Sequence, residues 1–172
     1  MKYLKSDIKQ KQQVLTDEGY QVSMLRTLVS DGTSANLLYR LTSWFIKYKL
    51  APLALITLWL NRVINGCVIG AGAKFDQGFV IMHPVGVVIN SKVSGGKNII
   101  IESGVVIGDE KGQAPLLGNN IFIGAGAKII GGISIGDNVK IGANAVVVKN
   151  VPNNATAVGI PAKVILKGEN KC

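Results

Sequence analysis

His83 is the only histidine in the chain and the first residue whose chemistry needs an explanation. Imidazole changes protonation near neutral pH, so histidine is the side chain most often used as a general base. A lone histidine also serves as a structural hydrogen-bonding group, and residue type alone leaves both roles open. His83 lies between Met82 and Pro84, where a sequence repeat described below is interrupted. Such interruptions form loops on a rigid frame and commonly carry functional groups, so we predict that His83 is a catalytic base.

Other residue types that could carry chemistry do not form a recognisable site. A catalytic zinc ion held in the manner of carbonic anhydrase needs three histidines, so no metal is expected. Cys67 precedes the repeat and Cys172 ends the chain, and neither has the surroundings of a thiol nucleophile. The two cysteines form no disulfide framework, which predicts a reducing, cytoplasmic location.

An aliphatic residue recurs at an interval of six in the second half of the chain. The positions are Leu117, Ile123, Ile129, Ile135, Ile141 and Val147. This interval matches neither the 3.6-residue period of a helix nor the alternation of an open strand. It is typical of a hexapeptide parallel β-helix, in which equivalent side chains of successive coils stack inward. The sequence therefore predicts a mainly β fold.

The same repeat extends back towards Cys67, with two interruptions. Its earlier inward positions are Ile69, Phe75, Ile81, Ile89, Gly95, Ile101 and Ile107. Two extra residues follow His83, and residues 109–115 form a polar loop. An unbroken frame through Val87, Val93, Ile99 and Val105 is the alternative. It would place the charged Lys111 inward, so we favour the interruptions.

Residues 1–66 read as helices that form an N-terminal cap on the solenoid. Apolar residues at helical spacing lie within residues 35–48, namely Leu37, Leu38, Leu41, Trp44 and Phe45. Pro52 opens a further helix over 53–64. A cap is favoured because solenoid ends need covering. Peripheral membrane contact through these helices, aided by Lys47, Lys49 and Arg62, is the alternative.

These patterns divide the chain into three parts. Residues 1–66 form the helical region, residues 67–165 the β-helix, and residues 166–172 a C-terminal tail. The net charge of +9 is spread over the chain without a nucleic-acid-binding motif, so no nucleic-acid partner is expected. The start of the chain lacks a signal-peptide pattern, and the apolar stretch at residues 50–60 is too short to span a bilayer.

Residues 35–166 resemble the serine acetyltransferase branch of the left-handed β-helix acyltransferases, and most closely the colanic-acid-type exopolysaccharide O-acetyltransferases. The resemblance is carried by LLYRLTSWF at 37–45, MHPVGVVIN at 82–90, IGAGAKIIGGISIGDNVKIGANAVV at 123–147 and NVPNNATAVGIPAKV at 150–164. It implies a left-handed helix, a homotrimer with active sites between subunits, acetyl-CoA as co-substrate and His83 as base. By the same resemblance, acetyl-CoA meets Gly124, Ala125, Gly126, Ala127, Gly142, Ala143, Ala145 and Lys163.

Three positions depart from the serine acetyltransferase pattern. Val68 and Met82 stand where two aspartates are expected, and residues 112–115 lack the Arg-His pair that binds the carboxylate of serine. Glu102 and Asp109 are candidates for orienting His83 in place of the missing aspartates. Without a cationic partner a carboxylate loses its charge-assisted anchor. We therefore expect O-acetylation of a saccharide of a capsule or exopolysaccharide. Serine O-acetylation for cysteine synthesis, and a non-catalytic trimeric binding solenoid, are the alternatives.

Overall fold

The computed structural model describes residues 3–166, which form four helices followed by a β-solenoid. The helices are α1 Leu4–Asp17, α2 Met24–Leu28, α3 Thr33–Lys47 and α4 Ala51–Asn65. Ser23 caps α2 by accepting a hydrogen bond from the backbone N–H of Arg26, and Pro52 lies in the first turn of α4 as predicted. Within residues 3–66 the predicted helical region consists of these four helices and their connections.

Fifteen short strands follow, and they are listed here in chain order. They are β1 Val68–Ile69, β2 Lys74–Phe75, β3 Val80–Ile81, β4 Val88–Ile89, β5 Ser94–Gly95, β6 Ile99–Ile101, β7 Val106–Gly108, β8 Leu116–Leu117, β9 Ile121–Ile123, β10 Lys128–Ile130, β11 Ser134–Ile135, β12 Lys140–Ile141, β13 Val146–Val147, β14 Ala155–Val158 and β15 Lys163–Leu166. They form three sheets, in the orders β1-β4-β7-β10-β13, β11-β8-β5-β2 and β15-β14-β12-β9-β6-β3. As far as β13, each sheet takes every third strand, so the chain winds as a parallel β-helix of about four turns, and the predicted fold class is confirmed. β14 and β15 extend the third sheet.

The register of the coils confirms both predicted interruptions. Ile69 pairs with Ile89, and Ile89 pairs with Ile107, so the first of these coils is two residues longer than the second. Ile107 pairs with Ile129, and this coil is four residues longer because it contains the polar loop at 109–115. The extra residues leave the stacked strands in register, because they project from the corners between strands.

The residues of the rejected unbroken frame are also buried. Val87, Val93, Ile99 and Val105 have no exposed surface. Each lies two residues before one of the predicted inward positions. Because side chains alternate along a strand, both residues point into the core. Both sets together fill the core of the solenoid.

Polar side chains of the helices cover the open end of the solenoid. β1, β2 and β3 are edge strands of their sheets, so backbone groups of the first coil need partners outside the sheets. The hydroxyl of Tyr39 on α3 donates to the carbonyl of Ala73 (3.0 Å) and accepts from the N–H of Phe75 (3.2 Å). Tyr39 therefore takes the place of a neighbouring strand.

Asn36 and Lys11 provide hydrogen-bond partners for backbone groups in and next to β3. The Asn36 amide donates to the carbonyl of Phe79, and its oxygen accepts from the N–H of Ile81 (2.9 Å). The ammonium of Lys11 on α1 donates to the carbonyl of Ile81 (2.9 Å). Burial lowers the pKa of Lys11 from 10.5 to about 8.

Asp7 and Arg40 form a buried ion pair in the same layer. Arg40 Nε donates to Asp7 Oδ2 at 2.7 Å, and a terminal nitrogen of Arg40 donates to Asp7 Oδ1 at 3.1 Å. Asp7 also accepts from the backbone N–H groups of Gly78 (2.8 Å) and Phe79 (3.1 Å), while Arg40 donates to the carbonyl of Phe75 (2.6 Å). Each charge is therefore compensated both by its partner and by the backbone of the first coil.

This polar contact decides which face of α3 meets the solenoid. The buried residues of α3 include Asn36, Tyr39 and Arg40, whereas Trp44 of the predicted apolar stripe is 39% exposed. A helix that covers an open backbone edge must present hydrogen-bonding groups to it, so the apolar stripe of α3 faces away from that edge. The helices form the predicted cap on the solenoid, and no helix among residues 3–166 is long and apolar enough to cross a membrane.

The C-terminal end of the solenoid closes with two further strands. β14 adds a strand beside β12, and β15 folds back antiparallel to β14. Residue 166 is the last of β15, and the rest of the predicted tail lies outside the described residues. The division at residues 66 and 165 stays a prediction.

The Asp7–Arg40 pair gives the first prediction. Replacing Asp7 by Ala leaves the guanidinium of Arg40 buried without its carboxylate, so the free energy of unfolding should fall by about 3–5 kcal/mol. Urea denaturation followed by circular dichroism measures the change. Asp76→Asn, an exposed carboxylate in the same coil, is the control and should change it by less than about 0.5 kcal/mol. A loss below about 1 kcal/mol for Asp7→Ala would contradict the assigned role.

Lys11 gives a prediction of pH dependence. Its ammonium loses a proton near pH 8 in the folded protein but keeps it until about pH 10.5 when unfolded. Between these values the unfolded state binds more protons, so the free energy of unfolding contributed by Lys11 rises with pH. The rise is at most about 3 kcal/mol. Urea titrations at pH 7.5 and 9.5 should show it as the difference between the wild type and Lys11→Met, which shares all other titrating groups. An equal pH response of both proteins would refute it.

Candidate active site

His83 lies at a corner of the solenoid, directly after β3. Ile81 and Met82 before it are buried, and the two-residue insertion allows the chain to leave the stacked path before β4 begins. The side chain of His83 is 58% exposed in the single chain. The predicted position on a loop of a rigid frame is therefore what the structure shows.

The corner that carries His83 recurs along the solenoid axis. The backbone N–H of Gly104 donates to the carbonyl of Val85, and in the next coils Gly126 donates to Ser103 and Asn144 to Ala125, at 2.8–2.9 Å. A residue with positive φ marks the corner in each coil, namely Gly86, Gly104, Gly126 and Asn144. We call this stack the glycine corner. Neighbouring strands lie about 4.8 Å apart, so it extends about 15 Å from the coil of His83 to that of Gly142.

The predicted acetyl-CoA residues belong to the same glycine corner. Gly124 to Ala127 form it between β9 and β10, and Gly142 to Ala145 form it between β12 and β13. A Cβ on Gly124 would lie 2.7 Å from the backbone nitrogen of Ala143, so these two levels are in direct contact. Ala127 and Ala145 have no exposed surface, because they point into the core. Ala125 and Ala143 point outward and are the small side chains a ligand would meet.

Lys163 lies beside the far end of this corner. It pairs with Val158 across β14 and β15, and Val158 contacts the corner at Gly142. The side chain of Lys163 is exposed. The fold thus brings His83, the two glycine-rich turns and Lys163 to one edge of the solenoid, although 80 residues separate His83 from Lys163 in the chain.

The carboxylate that pairs with His83 is Asp31, which sequence reasoning did not select. His83 Nδ1 lies 2.8 Å from Asp31 Oδ2, and Asp31 comes from the loop between α2 and α3. The two residues are 52 positions apart, so no sequence spacing connects them.

Neither predicted orienting carboxylate takes that position in the single chain. Asp109 instead accepts a hydrogen bond from the amide of Asn90 (2.7 Å), because the polar loop at 109–115 turns towards the preceding coil. Glu102 is half-buried in the coil next to Met82. Burial raises the pKa of the Glu102 carboxyl, and the nearby His83 partly offsets this. Glu102 is therefore an electrostatic neighbour of His83 without a hydrogen bond to it.

A groove of about 210 Å³ opens beside His83 between the solenoid and the helical cap. Its walls carry charges of both signs and a phenol. They are formed by Lys11, Leu15, Glu18, Tyr20, Ser30, Asp31, Met82 and His83. A small molecule that enters this groove from solvent can reach the imidazole of His83. His83 is the one lining group with the chemistry of a neutral-pH base.

Other reactive groups do not form a competing site. Cys67 is fully buried, and burial raises the pKa of its thiol to about 12, so it is not a thiolate nucleophile. Cys172 lies outside the described residues. Within residues 3–166, His, Cys, Asp and Glu side chains form no group of three or more that could hold a metal ion.

Known proteins provide an independent comparison. Residues 114–149 match the family model described as bacterial transferase hexapeptide (six repeats). The chain is 43% identical over 144 residues to a serine acetyltransferase of Helicobacter pylori, covering 81% of this chain and 84% of that protein. It is 39% identical over 140 residues to a serine acetyltransferase of Synechococcus elongatus, covering 79% of this chain and 57% of that protein. A solved serine acetyltransferase in complex with CoA matches with a TM-score of 0.86 and 31% identity, over 94% of this chain and 68% of that one.

These similarities correct the expected acceptor. The prediction of a saccharide acceptor is wrong, because the curated relatives and solved structures are serine acetyltransferases. The absence of an Arg-His pair at residues 112–115 was too narrow a basis for predicting the acceptor, because it concerns one loop only. The predicted acetyl-CoA-dependent acyltransferase class is confirmed for the family, whereas the colanic-acid-type branch is not supported.

The chain spans little more than half of the Synechococcus relative. Its 43% identity across most of the Helicobacter relative shows that it belongs to the serine acetyltransferase family of hexapeptide-repeat transferases.

Proposed function

We propose that this protein is an acetyl-CoA-dependent serine O-acetyltransferase that supplies O-acetylserine for cysteine synthesis. The observation that carries the proposal is the position of His83. This imidazole lines a polar groove and stands on the same solenoid edge as the glycine corner. An acceptor hydroxyl in the groove and a thioester lying along the edge would meet at this residue.

His83 acts as the general base in this proposal. Its Nδ1 is engaged by Asp31, which leaves Nε2 to accept the proton of the serine hydroxyl. The serine oxygen attacks the thioester carbonyl, and the tetrahedral intermediate then expels the CoA sulfur. The protonated imidazole returns its proton to that sulfur, so O-acetylserine and CoA thiol are formed and His83 is regenerated. Direct transfer is favoured because Cys67 is buried as a thiol.

Acetyl-CoA lies along the glycine corner in this proposal. The outward side chains of its turns at Ala125 and Ala143 are small, so a pantetheine arm can approach the backbone at these positions closely. The exposed Lys163 at the far end of the edge supplies a positive charge for the phosphates. The solved relative with bound CoA supports the choice of co-substrate.

The groove beside His83 can receive the amino group of an amino-acid acceptor. Glu18 lines the groove and presents a carboxylate, which can form a charge-assisted hydrogen bond with an ammonium group. Lys11 also lines the groove, but its ammonium is bonded to the backbone carbonyls of Asp31 and Ile81.

The assembly and location are proposals of the same kind. We infer a homotrimer with sites between subunits, as hexapeptide-repeat transferases typically form. Exposed apolar residues of α4, among them Leu55, Trp59 and Ile64, support a contact with another subunit. A cytoplasmic location agrees with the supply of acetyl-CoA and with the reduced Cys67.

The proposed activity is tested by CoA thiol release. Purified protein with acetyl-CoA should release thiol faster with L-serine than without an acceptor. His83→Ala should lower this serine-dependent rate by about 10²–10⁴, because it removes the base. The variant should keep the wild-type circular dichroism spectrum and mass in solution, and Asp76→Asn should keep full activity. Serine-dependent release no faster than the blank would overturn the proposed function, and full activity of His83→Ala would overturn the assigned base.

The glycine corner is tested by filling it. Ala143 is exposed at this corner, so Ala143→Trp should block the pantetheine arm and raise the KM for acetyl-CoA at least about tenfold. Initial rates at varied acetyl-CoA measure the change. Ser134→Trp places the same side chain on another exposed face of the solenoid and is the control. An unchanged KM in Ala143→Trp would show that acetyl-CoA does not follow this edge.

A further inference from the structure

The partner of His83 comes from outside the solenoid, on a loop of the helical cap. We propose that Asp31 is a positioning residue, which holds the ring of His83 and keeps the proton on Nδ1 so that Nε2 is the basic nitrogen. The proposal deepens the proposed function and rests on His83 being its base. It assigns the role of orienting carboxylate to a residue of the loop between α2 and α3.

The geometry of the pair supports this role. His83 Nδ1 and Asp31 Oδ2 are 2.8 Å apart, which is the distance of a charge-assisted hydrogen bond. Neutral imidazole has one N–H, and a carboxylate at Nδ1 can only accept it. The lone pair is then at Nε2. A base whose proton is on the wrong nitrogen cannot accept the hydroxyl proton from the same position.

An exposed pair of this kind needs support from elsewhere. Side chains of His83 and Asp31 are 58% and 60% exposed, and isolated surface pairs contribute about 0–1 kcal/mol. Their own attraction is thus too weak to fix the ring. The backbone on both sides must therefore be held in place for the pair to be a stable arrangement.

Lys11 fixes the two backbones relative to each other. Its ammonium donates to the carbonyl of Asp31 and to the carbonyl of Ile81, two residues before His83. One buried side chain thus joins the loop to the end of β3. Because Lys11 is almost fully buried, both hydrogen bonds are shielded from water, which strengthens them.

Gly32 brings the loop into direct contact with the same strand. Its φ is 76°, and an added Cβ would collide with the carbonyl oxygens of Ile81 and Met82. The loop that carries Asp31 therefore rests on the backbone that carries His83. The absence of a side chain at this position is what permits the approach.

Other carboxylates near His83 do not compete for Nδ1. Glu102 interacts with His83 electrostatically, and Glu18 lines the same groove. The strand position where the family resemblance leads one to expect an aspartate is Val68, which has no group to offer. Asp31 is the residue within hydrogen-bonding distance.

The test uses the single histidine of the chain. In untagged protein labelled with ¹⁵N-histidine, long-range ¹H–¹⁵N correlation spectra report the tautomer of His83 without any dependence on activity. At alkaline pH, where imidazole is neutral, the wild type should show the proton on Nδ1. Asp31→Asn should shift the population towards the Nε2–H form and lower kcat about tenfold to a hundredfold, with the KM for acetyl-CoA unchanged.

Matched variants separate positioning from general effects. Glu102→Gln removes the other nearby carboxylate and should leave the tautomer unchanged. Gly32→Ala keeps both partners but displaces the loop, so it should shift the tautomer in the same direction as Asp31→Asn. Asp76→Asn, an exposed carboxylate elsewhere, should leave both the spectra and kcat unchanged.

Two results would overturn the proposal. One is an Nε2–H tautomer in the wild type, and the other is an unchanged spectrum in Asp31→Asn. The spectra remain informative if L-serine proves not to be the acceptor, so failure of the proposed function is recognised separately. In that case the wild type lacks serine-dependent CoA release while the tautomer still responds to Asp31→Asn.

Discussion

The open edge of the first coil is the constraint on which the arrangement of this protein depends. A parallel solenoid pairs every coil with its neighbours, but its first coil has backbone N–H and C=O groups that face outward. Helices α1 and α3 satisfy them with Tyr39, Asn36, Arg40 and Asp7. All side-chain polar atoms that are buried in the described residues have a hydrogen-bond partner. The cap is therefore a hydrogen-bonded continuation of the sheets, with the Asp7–Arg40 pair at its centre.

This constraint also decides where the loops of the cap lie. Because α3 must present its polar face to β3, the loop before α3 is carried over the corner at which β3 ends. Asp31 and Gly32 then lie against the backbone next to His83. Lys11 both satisfies an edge carbonyl and holds this loop. The groups that complete the solenoid end thus shape the groove.

The regularity of the solenoid supplies the other half of the site. Stacked coils repeat the same corner, so the small residues needed for tight winding also produce a continuous edge that carries only small side chains. A two-residue insertion at one level of this corner moves His83 out of the stack without disturbing the strands on either side. A single insertion at this corner of a rigid repeat is thus sufficient to place a base beside an extended ligand.

The sequence by itself determined the features that depend on local repetition. The six-residue period, the two interruptions, the cap, and the exposed corner position of His83 follow from residue types at regular spacing, because each hexapeptide must bury its aliphatic residue. The family, too, can be recognised from segments such as those around residues 82–90 and 123–147. The acceptor could not be predicted from the absence of two residues in one loop.

Tertiary structure alone decided the contacts between distant segments. Asp31 and His83 are 52 residues apart, and nothing periodic relates a turn between helices to a corner of the solenoid. Helical spacing shows that apolar residues of α3 share a face, but not which face of the helix meets the solenoid. The face buried against the solenoid carries Asn36, Tyr39 and Arg40. Its neighbour is an unpaired sheet edge, which requires hydrogen-bonding groups instead of hydrocarbon. Those partners become visible only when the chain is folded, since they arise from how the cap docks on the first coil.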